Sequence, residues 1–275
     1  MSRKLRGSVL RGVLGTLLAV FTLFPVYWML MSAVDKRASS GGQSLVPREF
    51  TLDNFVMIFE QGRFGVFLMN SLLVAVIVVL ASGALSLFAS IAVARFRFKF
   101  RTAVLFLILA VQMVPLEVLV IPLFVQVRDI GLLGQLSGLV VVYLAISLPF
   151  GIWMLRGFVA AVPVELEEAA YLDGASWWRM FRSVMFPLVM PGLVATSIFS
   201  FITAWNEFIF AMTLLGGNTQ NYTVAIGLKQ FFGEHSNDWG AVMAASTVIT
   251  IPVMIFFVLV QRRLSEGLVA GAVKG

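Results

Sequence analysis

Apolar stretches of about 20 residues recur along this chain, and that is the length an α-helix needs to cross a lipid core about 30 Å thick. They lie roughly at Val13–Val34, Asn70–Ala94, Thr102–Val127, Ser137–Leu155, Pro191–Leu215 and Ala241–Val260. Each is apolar on all sides, whereas a strand of a membrane barrel alternates apolar and polar residues. The expected fold is therefore all-α: a polytopic membrane protein with six transmembrane helices. Composition agrees, since only 12% of the 275 residues are charged, against about 25% in a soluble domain. Mean hydropathy is +0.96. So few charges leave too little polar surface for a water-soluble globule of this length, and membrane lipid is the expected surrounding.

The formal net charge is +6. The basic residues sit beside the apolar runs, which is how a membrane protein sets its orientation, so nucleic acid is not an expected partner. With the N-terminus placed in the cytoplasm, the inner segments hold Arg3, Lys4, Arg6 and Arg11, then Arg95, Arg97, Lys99 and Arg101, then Arg156, Arg179 and Arg182, then Arg262, Arg263 and Lys274. Only Lys36, Arg37, Arg48, Arg63, Arg128 and Lys229 fall outside. Both termini are thus expected in the cytoplasm. There is no cysteine, which removes disulfides and thiolate chemistry. The first run follows a basic N-terminus, but it is longer than a signal-peptide core and lacks a clear small-x-small cleavage site, so it reads as an uncleaved span. No internal repeat is visible, which disfavours a secondary carrier built from two related halves.

Three polar segments are long enough to act: Asp35–Met69, Gly216–Gly240 and Arg156–Met190. The last is the most informative. Pro163 suits a helix's first turn, Glu165, Glu167 and Glu168 suit the positive end of its dipole, and Gly174 suits its stop. A helix of two to three turns is expected, with Leu166, Ala169, Ala170 and Asp173 on one face. Two adjacent alanines there let another surface approach. A second helix should carry Trp177, Trp178, Phe181 and Met185 on one side and Arg179, Arg182 and Ser183 on the other, the pattern of a helix lying in the membrane interface. Pro187 and Pro191 would then open the next span. Two readings fit these residues: a structured connection between spans, and a docking knob for a cytoplasmic partner.

The stretch Glu168-Ala169-Ala170-x-x-Asp173-Gly174-Ala175-x-x-Trp178-x-x-Phe181, followed by Pro187, resembles the EAA motif of ABC importer permeases. Ala204-Trp205-Asn206-Glu207-Phe208, Phe50-Thr51-Leu52-Asp53-Asn54-Phe55 and the ending Gly267–Gly275 are similar to segments of sugar permeases of the maltose-transporter type, specifically its second permease subunit. The tail departs from the usual pattern at Val269, where a threonine is customary. The resemblance implies a type I importer permease fold over residues 1–275 as a single transmembrane domain, with a coupling segment at 156–190 and a C-terminal tail at 262–275. It implies that Glu168, Ala169, Ala170, Asp173 and Gly174 form a coupling helix seated in an ATP-binding subunit. It also implies that the tail reaches between two such subunits. The expected partners are a second homologous permease, two ATP-binding subunits and an extracytoplasmic sugar-binding protein, in a bacterial or archaeal plasma membrane.

No G-x-x-x-x-G-K-[ST] loop occurs, so ATP and Mg are expected on the partner subunits, with no cofactor, metal or catalytic residue in this chain. The only histidine, His235, reads as surface. Glu207 and Glu117 lie about 16 and about 15 residues into their spans, which at about 1.5 Å per residue places both roughly 22–24 Å from the cytoplasmic side. Acids within spans usually face a cavity or a partner. Gln112, Glu117, Trp205, Asn206 and Glu207 are therefore candidates for a sugar pathway, with the indole as a stacking platform. The competing reading is that the acids bond neighbouring helices or reach the headgroups. Pro115, Pro122, Pro149 and Pro252 suggest kinks. Rival functions are an importer for glycerol phosphate, peptide or amino acid, a stand-alone channel or carrier, and a membrane scaffold.

Overall fold

The computed structural model describes residues 3–40, 45–60, 62–233 and 237–272, with backbone only for 3–10, 40 and 262–272. His235 and the last three residues lie outside them, as do the side chains of the tail. The helices are α1 (Arg3–Ala33), α2 (Asp53–Glu60), α3 (Phe64–Arg95), α4 (Arg101–Gln112), α5 (Val120–Asp129), α6 (Leu136–Ala161), α7 (Val164–Leu172), α8 (Trp177–Met180), α9 (Phe186–Asn206), α10 (Ile209–Leu215), α11 (Val224–Lys229) and α12 (Trp239–Ala272). A π-helical turn, Phe181–Met185, joins α8 to α9, so Trp177–Asn206 is one continuous helix. No strand occurs among the described residues; two isolated bridges, Asp35 with Phe50 and Phe232 with Asn237, are the only extended pairings there.

Among the described residues five helices are long and apolar enough to cross a membrane, and the number reaches six if the bent pair of Arg101–Gln112 and Leu116–Asp129 is counted as one span. The differences from the sequence expectation fall where helices break. The third run is not one rod: Arg101–Gln112 and Leu116–Asp129 meet at 97°. Pro115 sits at the break with ψ 132°; it has no N–H to donate and its ring disfavours a helical residue before it. The rise-per-residue depth assigned to Glu117 therefore does not hold. By contrast Pro149 and Pro252 lie inside helices that run on through them, and Pro122 falls in the first turn of α5, where its missing N–H costs little. The fifth run begins earlier and ends earlier than expected. Trp177–Met185 is not a separate interfacial helix but the first turns of the span, and Pro187 does not open it. The π turn lets the helix pass Pro187, whose missing N–H leaves an upstream carbonyl without its usual donor. The span then stops at Asn206, and α10 is a separate short helix.

The chain forms two compact units, Met1–Gly65 with Gly227–Pro252, and Val66–Ile226 with Val253–Gly275. In the first, the apolar window of α1 has no residue buried by this chain. The adjoining loop is organised around buried Asn54. Its amide donates to the carbonyl of Ala33 at 2.9 Å, and its oxygen accepts from the Ser39 hydroxyl at 3.1 Å. Gly240 lies against both side chains, and a Cβ there would collide with them. Phe64 packs on Phe231 with centroids 6.1 Å apart, and Asp238 caps α12 through the N–H of Ala241 at 3.0 Å.

The second unit is a helical packing core. α6 packs along α9 and against α4. With lipid outside, close helix approach rests on small residues and interhelical hydrogen bonds. Gly151 meets Ser86, Gly192 meets the Phe158 ring, and the Ser82 hydroxyl bonds that of Ser200 at 3.1 Å. Leu87, Ile91, Leu155, Val159, Val162, Met180, Phe181, Met185 and Val189 form a buried cluster where α3, α6 and α9 begin or end. At the opposite ends, Asn70 donates to the carbonyls of Gln220 and Tyr222, and Ser71 accepts from the N–H of Val224 at 2.9 Å. Gly192→Ala should drive a methyl into the Phe158 ring and cost about 1–3 kcal/mol. Gly157→Ala, with nothing within 4 Å of its Cβ position, should be nearly neutral. Thermal midpoints of the two variants in detergent check the contrast.

Candidate functional site: the coupling surface and the polar breaks

The EAA-like stretch forms the expected short helix. α7 runs from Val164 to Leu172, with Pro163 immediately before it at φ −59° and ψ 132°. Its end is a Schellman motif. Gly174 has φ +78°, a conformation that suits glycine because it has no Cβ. Its N–H donates to Tyr171 O at 3.0 Å, and that of Ala175 donates to Ala170 O at 2.9 Å, the paired bonds that close such a helix. Ser176 then caps α8, accepting from the N–H of Arg179 at 3.4 Å.

Glu168, Ala169, Asp173 and Gly174 are exposed, while Ala170 is half-buried and packs on the apolar cluster. Ala170 thus seats the helix rather than presenting its outer face. The residue that holds α7 in place was not singled out from sequence. Glu167 is buried, with an Arg95 Nη2 to Oε1 distance of 2.6 Å; Arg95 Nε also donates to that oxygen at 2.7 Å. The same guanidinium donates to the carbonyl of Val162, in the turn before α7, at 2.7 Å. One cation at the end of α3 therefore clamps both the helix and its approach. In the sequence Arg95 looked like one more orienting charge, and Glu167 like one of three dipole acids. Only packing distinguishes Glu167 from its exposed neighbours.

The aromatic residues at the start of the Trp177–Asn206 span stack on the same cluster. Trp177 and Phe181 lie 5.5 Å apart and 3° from parallel, and Trp178 lies 5.3 Å from Phe181. Trp177 and Trp178 stay exposed, while Phe181 and Met185 are buried.

The five pathway candidates divide. Gln112 is exposed at the end of α4, its amide donating to Ile108 O at 3.4 Å. Glu117 is exposed in the turn after Pro115. Asn206 is exposed at the end of α9, its amide donating to Ile202 O at 3.1 Å. Trp205 is not a stacking platform in this structure: it is 1% exposed and lies against Phe201 at 5.4 Å. Glu207 is a structural acceptor. Its Oε2 accepts from the Tyr143 hydroxyl at 2.7 Å and from the N–H of Ala211 at 2.9 Å, and its Oε1 from the N–H of Phe210 at 2.8 Å. Two orphan donors of α10 and one phenol are thus satisfied by a single carboxylate. Tyr143 was missed; a lone tyrosine in an otherwise apolar span is the signal that could have marked it. Among the described residues no group of acids and histidines could hold a metal ion.

Fold and surface together define a multi-pass α-helical membrane protein that presents a clamped, capped helix between two of its spans. Residues 86–269 match the model of the family described as binding-protein-dependent transport system inner membrane component, and the chain belongs to that family. Members of it are permease subunits of ABC transporters in the plasma membrane. The chain is 41% identical to the diacetylchitobiose uptake system permease protein DasC of Streptomyces coelicolor, over 100% of both chains. It is 35% identical to the trehalose/maltose transport system permease protein MalG of Thermococcus litoralis, over 98% of this chain and 100% of that one. A crystal structure of a bacterial ABC transporter involved in import of the acidic polysaccharide alginate includes a chain of the same fold. Its TM-score is 0.77, with 23% identity, over 95% of this chain and 98% of that one.

Two outcomes follow from these contacts. Arg95→Ala leaves the Glu167 carboxylate buried and unpaired, which costs about 3–5 kcal/mol for a buried pair. It should loosen α7, and a single cysteine placed at half-buried Ala170 in this cysteine-free chain should then react faster with a thiol reagent. Glu207→Ala strips three donors of their acceptor, at about 1–3 kcal/mol for each buried group left unpaired. Its thermal midpoint should fall well below that of Glu207→Gln, which keeps one acceptor oxygen.

Proposed function

We propose that this chain is a permease subunit of an ATP-driven oligosaccharide importer. It would form half of a translocation pathway with a second homologous permease. The observation that carries this reading is the end-to-end match, at 41% identity, to a permease protein named for diacetylchitobiose uptake. The trehalose/maltose relative supports the same substrate class. Both termini lie in the cytoplasm in this reading, in line with the excess of basic residues on that side. An extracytoplasmic sugar-binding protein delivers the substrate. Two ATP-binding subunits bind ATP and Mg and carry out all hydrolysis; this chain has no ATPase site of its own.

Glu168, Ala169, Ala170, Asp173 and Gly174 form the coupling element, with the first two, Asp173 and Gly174 at its exposed surface. A helix with a fixed start, a Schellman end and an ion-paired root transmits displacement without first unwinding, which supports this role. Gln112, Glu117 and Asn206 form the polar side of the passage, since exposed polar groups on apolar spans are costly unless a cavity or partner receives them. Glu207 borders that passage while holding Tyr143 and α10.

The test is ATP hydrolysis by the full complex in lipid, with its binding protein and a panel of oligosaccharides, comparing native protein with Gly174→Pro. Proline cannot reach φ +78°, and the Gly174 N–H is part of the helix stop. Stimulation by one sugar, lost in the assembled variant, is the expected result and names the substrate. An assembled native complex that no sugar stimulates would move the reading to an importer of a different solute. Glu117→Ala should lower transport at saturating binding protein; an unchanged rate would remove Glu117 from the pathway.

A further inference from the structure

Between α3 and α4 the chain reads Arg95-Phe96-Arg97-Phe98-Lys99-Phe100-Arg101, strict alternation of cation and phenylalanine. Two of the four cations have work inside the protein. Arg95 clamps Glu167, and Arg101 is half-buried, its Nη2 reaching the carbonyl of Ala94 at 3.4 Å. Arg97 and Lys99 are exposed, and neither pairs with a carboxylate among the described residues. No acid occurs in the sequence between Glu60 and Glu117, so local compensation is lacking. The three phenylalanines of the same segment are 58%, 42% and 66% exposed. Lys99 Nζ stands 6.0 Å from the centroid of the Phe100 ring, a contact that leaves its charge without a counter-ion; large exposed rings beside such cations, on a short connection between α3 and α4, match the chemistry of a bilayer's surface region. There, aromatic rings settle at headgroup depth and basic side chains meet lipid phosphates.

We propose that Phe96–Phe100 is a binding surface for anionic phospholipid headgroups in the leaflet on the coupling side. Arg97 and Lys99 engage the phosphates, and the exposed rings enter the acyl boundary. The segment follows directly on Arg95, the residue that clamps α7, so lipid bound here holds the end of α3 and, through Arg95, the root of the coupling helix. This goes beyond the transport reading and does not depend on which solute is carried.

The experiment uses the assembled complex in phosphatidylcholine nanodiscs with and without phosphatidylglycerol, carrying a trace of photoactivatable phosphatidylglycerol. Cross-linked peptides are identified by mass spectrometry. Labelling should concentrate on Phe96–Arg101 and be displaced by unlabelled phosphatidylglycerol but not by phosphatidylcholine. Each surface cation contributes roughly a fivefold preference, so Arg97→Gln with Lys99→Gln should weaken the segment's preference by about 25-fold. Neither residue pairs with a carboxylate among the described residues, and Arg97→Lys with Lys99→Arg, which keeps both charges, should keep the preference. Equal displacement by the two lipids would overturn the proposal. So would protection of the segment by an ATP-binding subunit, seen as protein–protein cross-links in place of lipid adducts.

Discussion

Lipid offers no hydrogen bonds, so every interruption of a spanning helix has to be satisfied by protein or by water in a cavity. That requirement explains why the interruptions carry the polar residues. At the end of α9 the backbone stops, and Glu207 supplies the acceptors that two N–H groups of α10 and the Tyr143 phenol need. At the start of the same continuous helix, a π turn carries the chain past Pro187. At Pro115 no such device keeps the helix going, and the third run folds over into a bent pair. Glu207 at the end of α9 is thus first a means of ending one helix and starting the next. Any contact with a solute has to be compatible with that duty.

Five of the six apolar runs were legible as helices long enough to span, at approximate positions, because a run of about 20 apolar residues has one physical meaning in this composition. The short α7 was legible too. Proline before it, acids in its first turn and a glycine after it are local signals, and the local backbone obeys them, down to the positive φ of Gly174. The breaks at Pro115 and Glu207 were not legible. An apolar count is blind to a bend, and proline gives no clear sign by itself: Pro149 and Pro252 sit inside unbroken helices, whereas Pro115 ends one.

The site was legible in outline and not in its supports. The helix that carries Glu168, Ala169 and Ala170 follows from its local start and stop signals, whereas which of these residues are exposed is set by the tertiary packing, with Ala170 half-buried. The Arg95–Glu167 pair joins residues far apart in sequence and needs the tertiary fold to be seen. Trp205 shows the opposite failure: an indole beside Asn206 and Glu207 invited a carbohydrate contact, yet it is covered by Phe201 and faces the interior.

The continuous helix from Trp177 to Asn206 has 30 residues, about 45 Å at 1.5 Å per residue. One end lies beside α7; the other abuts the carboxylate on which α10 begins. Such a rod behaves as a lever whose arm is the whole thickness of the bilayer. A tilt of about 5° imposed at the α7 end sweeps the far end through roughly 4 Å over that length, more than a hydrogen bond can stretch. Angular error at the near end is magnified in the same proportion over the length of the helix.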